Sequence, residues 1–142
     1  FDDLYGARDN VAAGIGRVLM VGAEHVPRAT LVPLFISGLP LKNDFSENQA
    51  VYSAVAKLVN TLPSTHAGII EPHYETLIRI FADITVNQGE EQKISEKLKG
   101  FILKTARTIL ASEPALKEKL QEPTKSEFIK LLDAPQAEEK AE

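Results

Sequence analysis

The chain has 142 residues, a net charge of −4, 44% hydrophobic and 25% charged residues, and no cysteine. These are the proportions of an ordinary folded protein; the missing cysteines exclude disulfides, thiolate metal sites and cysteine nucleophiles, and the acidic balance disfavours nucleic acid while leaving basic proteins open as partners. The longest apolar stretch, Leu31 to Leu41, carries two prolines and falls well short of the roughly 20 residues a bilayer crossing needs, so no membrane span is expected.

Helical periodicity runs throughout, and no alternating strand pattern competes with it. A first helix is predicted from about Leu4 to Val21, with Val11, Ile15, Val18 and Leu19 on its buried face and Gly22 as its stop. Pro27 opens a second, carrying Leu31, Leu34, Phe35 and Leu39 and ending before Pro40. Asp44-Phe-Ser-Glu47 has the form of a capping box and launches a third helix to about Thr61, stopped by Leu62-Pro63. Pro72 marks a fourth, with Tyr74, Leu77, Ile78 and Phe81 as its stripe and an end near Asn87. Glu90 and Glu91 open a fifth with favourable charge at its positive end; it reaches Ala111 through Ile94, Leu98, Phe101, Ile102, Ala106, Ile109 and Leu110. Pro114 to Leu120 forms a short helix, and Thr124-Lys-Ser-Glu127 is a second capping box ahead of Phe128, Ile129, Leu131 and Leu132.

Two of these helices are near copies. Val11-Ala-Ala-Gly-Ile-Gly-Arg-Val-Leu19 aligns with Val51-Tyr-Ser-Ala-Val-Ala-Lys-Leu-Val59 at an offset of 40, apolar on apolar, small on small and basic on basic. Leu31, Leu34 and Phe35 match Tyr74, Leu77 and Ile78 at an offset of 43, and Ile102, Ala106, Ile109 and Leu110 fall on Val51, Val55, Leu58 and Val59 at 51. A helical unit recurring at about 40 residues is the period of HEAT and armadillo arrays. The expected fold class is therefore all-α, a HEAT-repeat solenoid forming the C-terminal segment of a longer array. Its parts are an inner helix of a truncated repeat over 1–22, repeats over 27–62 and 70–111, capping helices over 114–133 and a disordered tail over 134–142. The start, Phe1-Asp-Asp-Leu-Tyr5, has neither an initiator Met nor a signal pattern and reads as cut from a longer protein.

Signatures of catalysis are missing. His25, His66 and His73 share no helical face and lack metal-ligand spacing, and Gly14-Ile-Gly16 follows no strand, so it reads as close helix packing rather than a dinucleotide loop. Adjacent carboxylates such as Glu90/Glu91 point about 100° apart on a helix and do not converge. No catalytic residue, metal or cofactor is expected, and the protein is read as not an enzyme.

One segment is more specific. Val32-Pro-Leu-Phe-Ile-Ser-Gly38 leads into Leu39-Pro-Leu-Lys-Asn-Asp-Phe-Ser-Glu-Asn48, and the helix before it begins Asp9-Asn10 and continues to Gly16-Arg17-Val18-Leu19. Over residues 2–60 this resembles the C-terminal end of an importin-β-type nuclear transport receptor. It is most similar to the importin-four and importin-five branch, which includes fungal carriers of ribosomal proteins and core histones. After about residue 64 only the helical pattern persists. The resemblance implies HEAT repeats, protein binding, and shuttling between cytoplasm and nucleus. Ran binding in that family lies mainly in N-terminal repeats, which this chain does not match, so none of its residues is assigned to Ran.

In such a superhelix the second helix of each pair lines the concave face. Asp9, Asn10, Asp44, Glu47 and Asn48 then form a polar row at one end of the inner helices, able to accept hydrogen bonds from Lys and Arg of a basic cargo peptide. Tyr52 either stacks on that peptide or packs in the core. The other reading of the row is structural: Asp44 and Glu47 as a capping box, Asp9 as early helix charge, Asn10 as a tie between repeats. Arg17 and Lys57 are expected to complement the dipoles of their helices. The expected partners are a basic cargo and the remaining repeats of the same receptor, with neither nucleic acid nor membrane. The alternative function is a HEAT scaffold subunit of a phosphatase or chromosome-organising complex.

Overall fold

The computed structural model of the chain describes residues 2–21, 26–41, 47–86 and 94–134, and in the first helix the side chains of 11–20. Among these residues every regular element is helical. The order is α1 (Asp2–Val21), α2 (Arg28–Ser37), α3 (Asn48–Thr65), a 3-10 turn (Glu71–His73), α4 (Tyr74–Val86), α5 (Glu96–Ser112), a 3-10 helix (Pro114–Lys119) and α6 (Thr124–Asp133). The chain divides into two compact units, 1–74 and 75–142, and the break falls inside the segment expected as one repeat over 70–111.

In the first unit α1 packs against both α2 and α3. The face it buries carries Ala12, Ala13, Gly16 and Leu19. This corrects the expected face: Val11 is 61% and Val18 45% exposed, Ile15 is half-buried, and only Leu19 of the four lies in the core. The reason is distance between backbones. A Cβ added to Gly16 would sit 3.0 Å from Phe35 Cε1 and 3.6 Å from Ala54 Cβ, and one added to Gly38 would sit 2.9 Å from Ala12 Cβ. Small residues mark the closest crossing, and the larger valines are turned away from it. Gly14 does not share that role, since nothing lies within 4 Å of the Cβ it lacks.

Helix α3 is buried on nearly all sides, from Val51, Tyr52, Ala54, Val55 and Ala56 to Leu58, Val59 and Leu62. It also runs past Pro63 to Thr65, beyond the expected stop. Pro63 has no N–H to give the carbonyl four residues back. Hydroxyls stitch the end instead: Thr61 Oγ1 donates to the Lys57 carbonyl at 2.7 Å, and Ser64 Oγ and Thr65 Oγ1 each donate to the Thr61 carbonyl at 3.0 Å. The His66 N–H then closes on the Leu62 carbonyl at 2.6 Å.

In the second unit α4 buries Leu77, Ile78 and Phe81, as its stripe predicts, and Ala82 beside them. Helix α5 packs against the following 3-10 helix and α6, burying Leu98, Ile102, Ala106, Ile109 and Leu110. Phe101, expected in that stripe, is 39% exposed. The helix also begins later than expected, at Glu96, because Ser95 is its N-cap and accepts the Leu98 N–H at 3.0 Å. Glu90 and Glu91 lie outside the described residues, as does the expected tail beyond Ala134.

The start of α6 is also held by a residue not expected there. Thr124 is the first residue of the helix, after Pro123, and the Glu122 carboxylate accepts the Ser126 N–H at 2.9 Å and its hydroxyl at 2.7 Å. These two bonds, side chain first, hold the Glu122 carboxyl below its ordinary range. Glu127 reaches Lys130 at 3.5 Å.

Candidate functional site

The expected row draws on the start of α1 and the start of α3. Asp9 and Asn10 belong to α1, but their side chains, like the whole of Asp44, lie outside the described residues. Glu47 is the residue immediately before α3, and Asn48 opens the helix; both are half-buried. Tyr52 lies one turn further on and is 2% exposed, which is the core reading of its two. Its ring has no open face to offer a peptide.

Glu47 makes no side-chain cap for α3. Its carboxylate takes Arg17 Nη2 from α1, at 2.9 Å to one oxygen and 2.8 Å to the other. The pair lies at the surface, with the Arg17 side chain 60% and the Glu47 side chain 25% exposed. Its strength is that of an exposed ion pair, up to about 1 kcal/mol. The repeat-equivalent cation, Lys57, points the opposite way along the same interface. Its Nζ lies 3.4 Å from the Met20 carbonyl in the last turn of α1. Each cation was expected to serve its own helix. In fact each crosses to the other, Arg17 to the start of α3 and Lys57 to the carbonyl end of α1, where a positive charge complements the helix dipole.

In the second unit Arg107, on α5, donates from Nε to the Leu132 carbonyl at 2.9 Å and from Nη2 to the Leu131 carbonyl at 3.4 Å. It holds the end of α6 as Lys57 holds the end of α1. Spacing gave no warning of either contact, because both are tertiary. Among the described residues no group of three His, Cys, Asp or Glu side chains is placed to hold a metal ion, and no helix is long and apolar enough to cross a membrane.

The chain is similar to Probable importin subunit beta-4 of Schizosaccharomyces pombe. The two are 25% identical over 103 residues, which is 72% of this chain and 9% of that protein. The chain thus spans less than a tenth of the length of the curated relative it matches. No family model matches the chain, and no solved structure does. A loose relationship to the importin-β receptors and an all-helical, HEAT-like architecture are what these findings support.

Proposed function

We propose that the chain is a non-catalytic part of a nuclear transport receptor of the importin-β type that shuttles between nucleus and cytoplasm. Its inner helix ends would offer acidic and amide groups to a basic cargo of the histone or ribosomal-protein kind. The observation that carries this reading is the likeness to an importin subunit over 72% of the chain. The repeated helix and the net charge of −4 agree with it. Within the row, Asp9, Asn10, Asp44 and Asn48 are the proposed acceptors. Glu47 serves as one only by exchanging Arg17 for a cargo cation. That exchange leaves the number of ion pairs unchanged, so Glu47 adds little to affinity.

The test is calorimetric titration of a lysine-rich histone-tail peptide into the folded chain at about 50 and 200 mM salt. Binding is expected to weaken as salt rises. Asp44→Asn together with Asp9→Asn should weaken it several-fold, each exposed pair contributing up to about 1 kcal/mol. Useful affinity then requires several such pairs along an array. A folded chain that binds no peptide at the lower salt would overturn the cargo assignment for this segment.

The pair between Arg17 and Glu47 favours a narrower second reading for its own corner of the surface. There the row joins α1 to α3 and holds adjacent repeats in register. Arg17→Ala distinguishes the two: it frees Glu47 and strengthens peptide binding if the row takes cargo, whereas it only lowers stability slightly if the row is structural.

A further inference from the structure

Helix α5 is the most basic element among the described residues. Between Glu96 and Ser112 it carries four cations and a single acid, Glu96, in a chain whose net charge is −4. Lys97, Phe101, Lys104, Thr108 and Ala111 fall on one exposed face, within about 80° of one another around the helix. Phe101 is 39% exposed and is the one aromatic among the exposed large apolar side chains of the described residues. Its neighbours one turn away on that face are both lysines, Lys97 four residues before it and Lys104 three after it. Their alkyl stems lengthen the apolar strip around the ring while the ammonium groups stay in water. The core of the second unit uses the other side of the helix, through Leu98, Ile102, Ala106 and Ile109. Packing does not require a ring or a charge on the exposed side. At the offset of 51 that aligns α5 with α3, Phe101 and Lys104 correspond to Ala50 and Ser53, and Ala50 is likewise exposed.

We propose that this face of α5 docks an acidic peptide segment of a partner protein, a carboxylate pairing with Lys97 and an adjacent apolar side chain covering Phe101. Charge complementarity selects the occupant, since a basic segment would meet cations of its own sign. Lys104 already interacts elsewhere in the chain, so Lys97 supplies the direct contact and Lys104 adds its charge. The chain's own residues 135–142 include three glutamates but no aromatic or branched apolar side chain to cover the ring. Single-stranded nucleic acid stacks on such rings too, but two exposed lysines on a chain of net charge −4 give its phosphates little. The polar row at the starts of α1 and α3 offers acids, whereas α5 offers cations. The two surfaces therefore select opposite partners, and this one stands whether or not the row binds cargo.

The test is an amide NMR titration of the full chain with the peptide Glu-Glu-Leu-Phe-Glu-Glu. The resonances of Lys97, Phe101 and Lys104 should move together and saturate, with affinity falling several-fold between about 50 and 200 mM salt. A Lys-Lys-Leu-Phe-Lys-Lys peptide should leave them unmoved. Lys97→Glu removes one exposed pair and adds repulsion, and should weaken binding about fivefold or more while the amide spectrum away from α5 stays native. Replacing Leu-Phe by Ala-Ala in the acidic peptide should also weaken it several-fold, which tests the ring contact without altering the protein. No saturable shift on α5, binding indifferent to Lys97→Glu, equal binding of the Ala-Ala peptide, or binding of the lysine peptide at this face would each overturn the proposal. Tighter binding of an oligothymidylate there would overturn it in favour of nucleic acid. A gain in peptide affinity on deleting residues 135–142 would overturn it in favour of the chain's own acidic segment.

Discussion

Gly14 and Gly16 lie two residues apart in α1, on opposite sides of the helix, and should respond oppositely to the same methyl group. Alanine is worth up to about 1 kcal/mol over glycine in a helix interior. At Gly14 nothing lies within 4 Å of the added carbon, so Gly14→Ala should raise the melting midpoint in chemical denaturation. At Gly16 the new carbon would stand 3.0 Å from the ring of Phe35, a side chain 0% exposed and unable to move aside. Overpacking of this kind costs about 1–3 kcal/mol, enough to cancel the propensity gain, and Gly16→Ala should lower the midpoint. The sequence pairs both glycines with alanines in the second copy and so presents them as equivalent packing residues. Only the position of Phe35 separates them. Glu122 yields a second residue-scale expectation. Its folded carboxyl ionises below the ordinary carboxylate range, so its contribution is fully present above that range and is lost as pH falls through the lower folded value. A carbon-detected NMR titration should find the depressed midpoint, and Ser126→Ala should move it back upward.

For whole helices, the periodic patterns located every α-helix among the described residues and most of the buried stripe of α4, because there the large apolar residues and the core coincide. They failed on α1, where apolar residues cover two opposite faces and size points to the wrong one. At a close crossing the interior belongs to Ala12, Ala13 and Gly16, and no rule that seeks large side chains would choose them. The ends failed for a related reason. Glu90 and Glu91 carry the charge of a helix start, but a hydroxyl able to accept the third N–H defines the cap, and Ser95 supplies it. Ser95→Ala should cost about 1 kcal/mol, read as a lower denaturation midpoint with an unchanged slope, while Ser95→Asp should retain most of the stability. Of the candidate row, the sequence placed Glu47 and Asn48 correctly at the start of α3 but missed the cation that claims Glu47. Arg17 is 30 residues away, and its reach depends on how α1 crosses α3.

Taken over the whole molecule, the repeat alignment treats Ile15 and Val55 as one position, and their burial says that they are not yet equal. Val55 is 1% exposed, so Val55→Asp strands an unpaired charge in the core and should cost about 3–5 kcal/mol or more, unfolding the first unit in circular dichroism melts. Ile15 is half-buried on the same side of α1 as the exposed Val11 and Val18, and its new carboxylate can turn to water, so Ile15→Asp should cost about 1 kcal/mol. Equal losses would mean that the two helices are buried alike. The helical class was legible because every segment repeats the same 3.6-residue pattern; the division into two units was not, since nothing in the spacing distinguishes residue 74 from its neighbours. The end of α3 has one more consequence. Beyond Pro63 its turns are held by the hydroxyls of Thr61, Ser64 and Thr65, and the chain then passes through exposed residues 64–68 to Gly68, at φ +90°. Exposed backbone of this kind is where proteases cut folded chains. A single nick there would leave α1 to α3 on one fragment and α4 to α6 on the other, so an exposed, cleavable stretch lies close in sequence to the border between the two units.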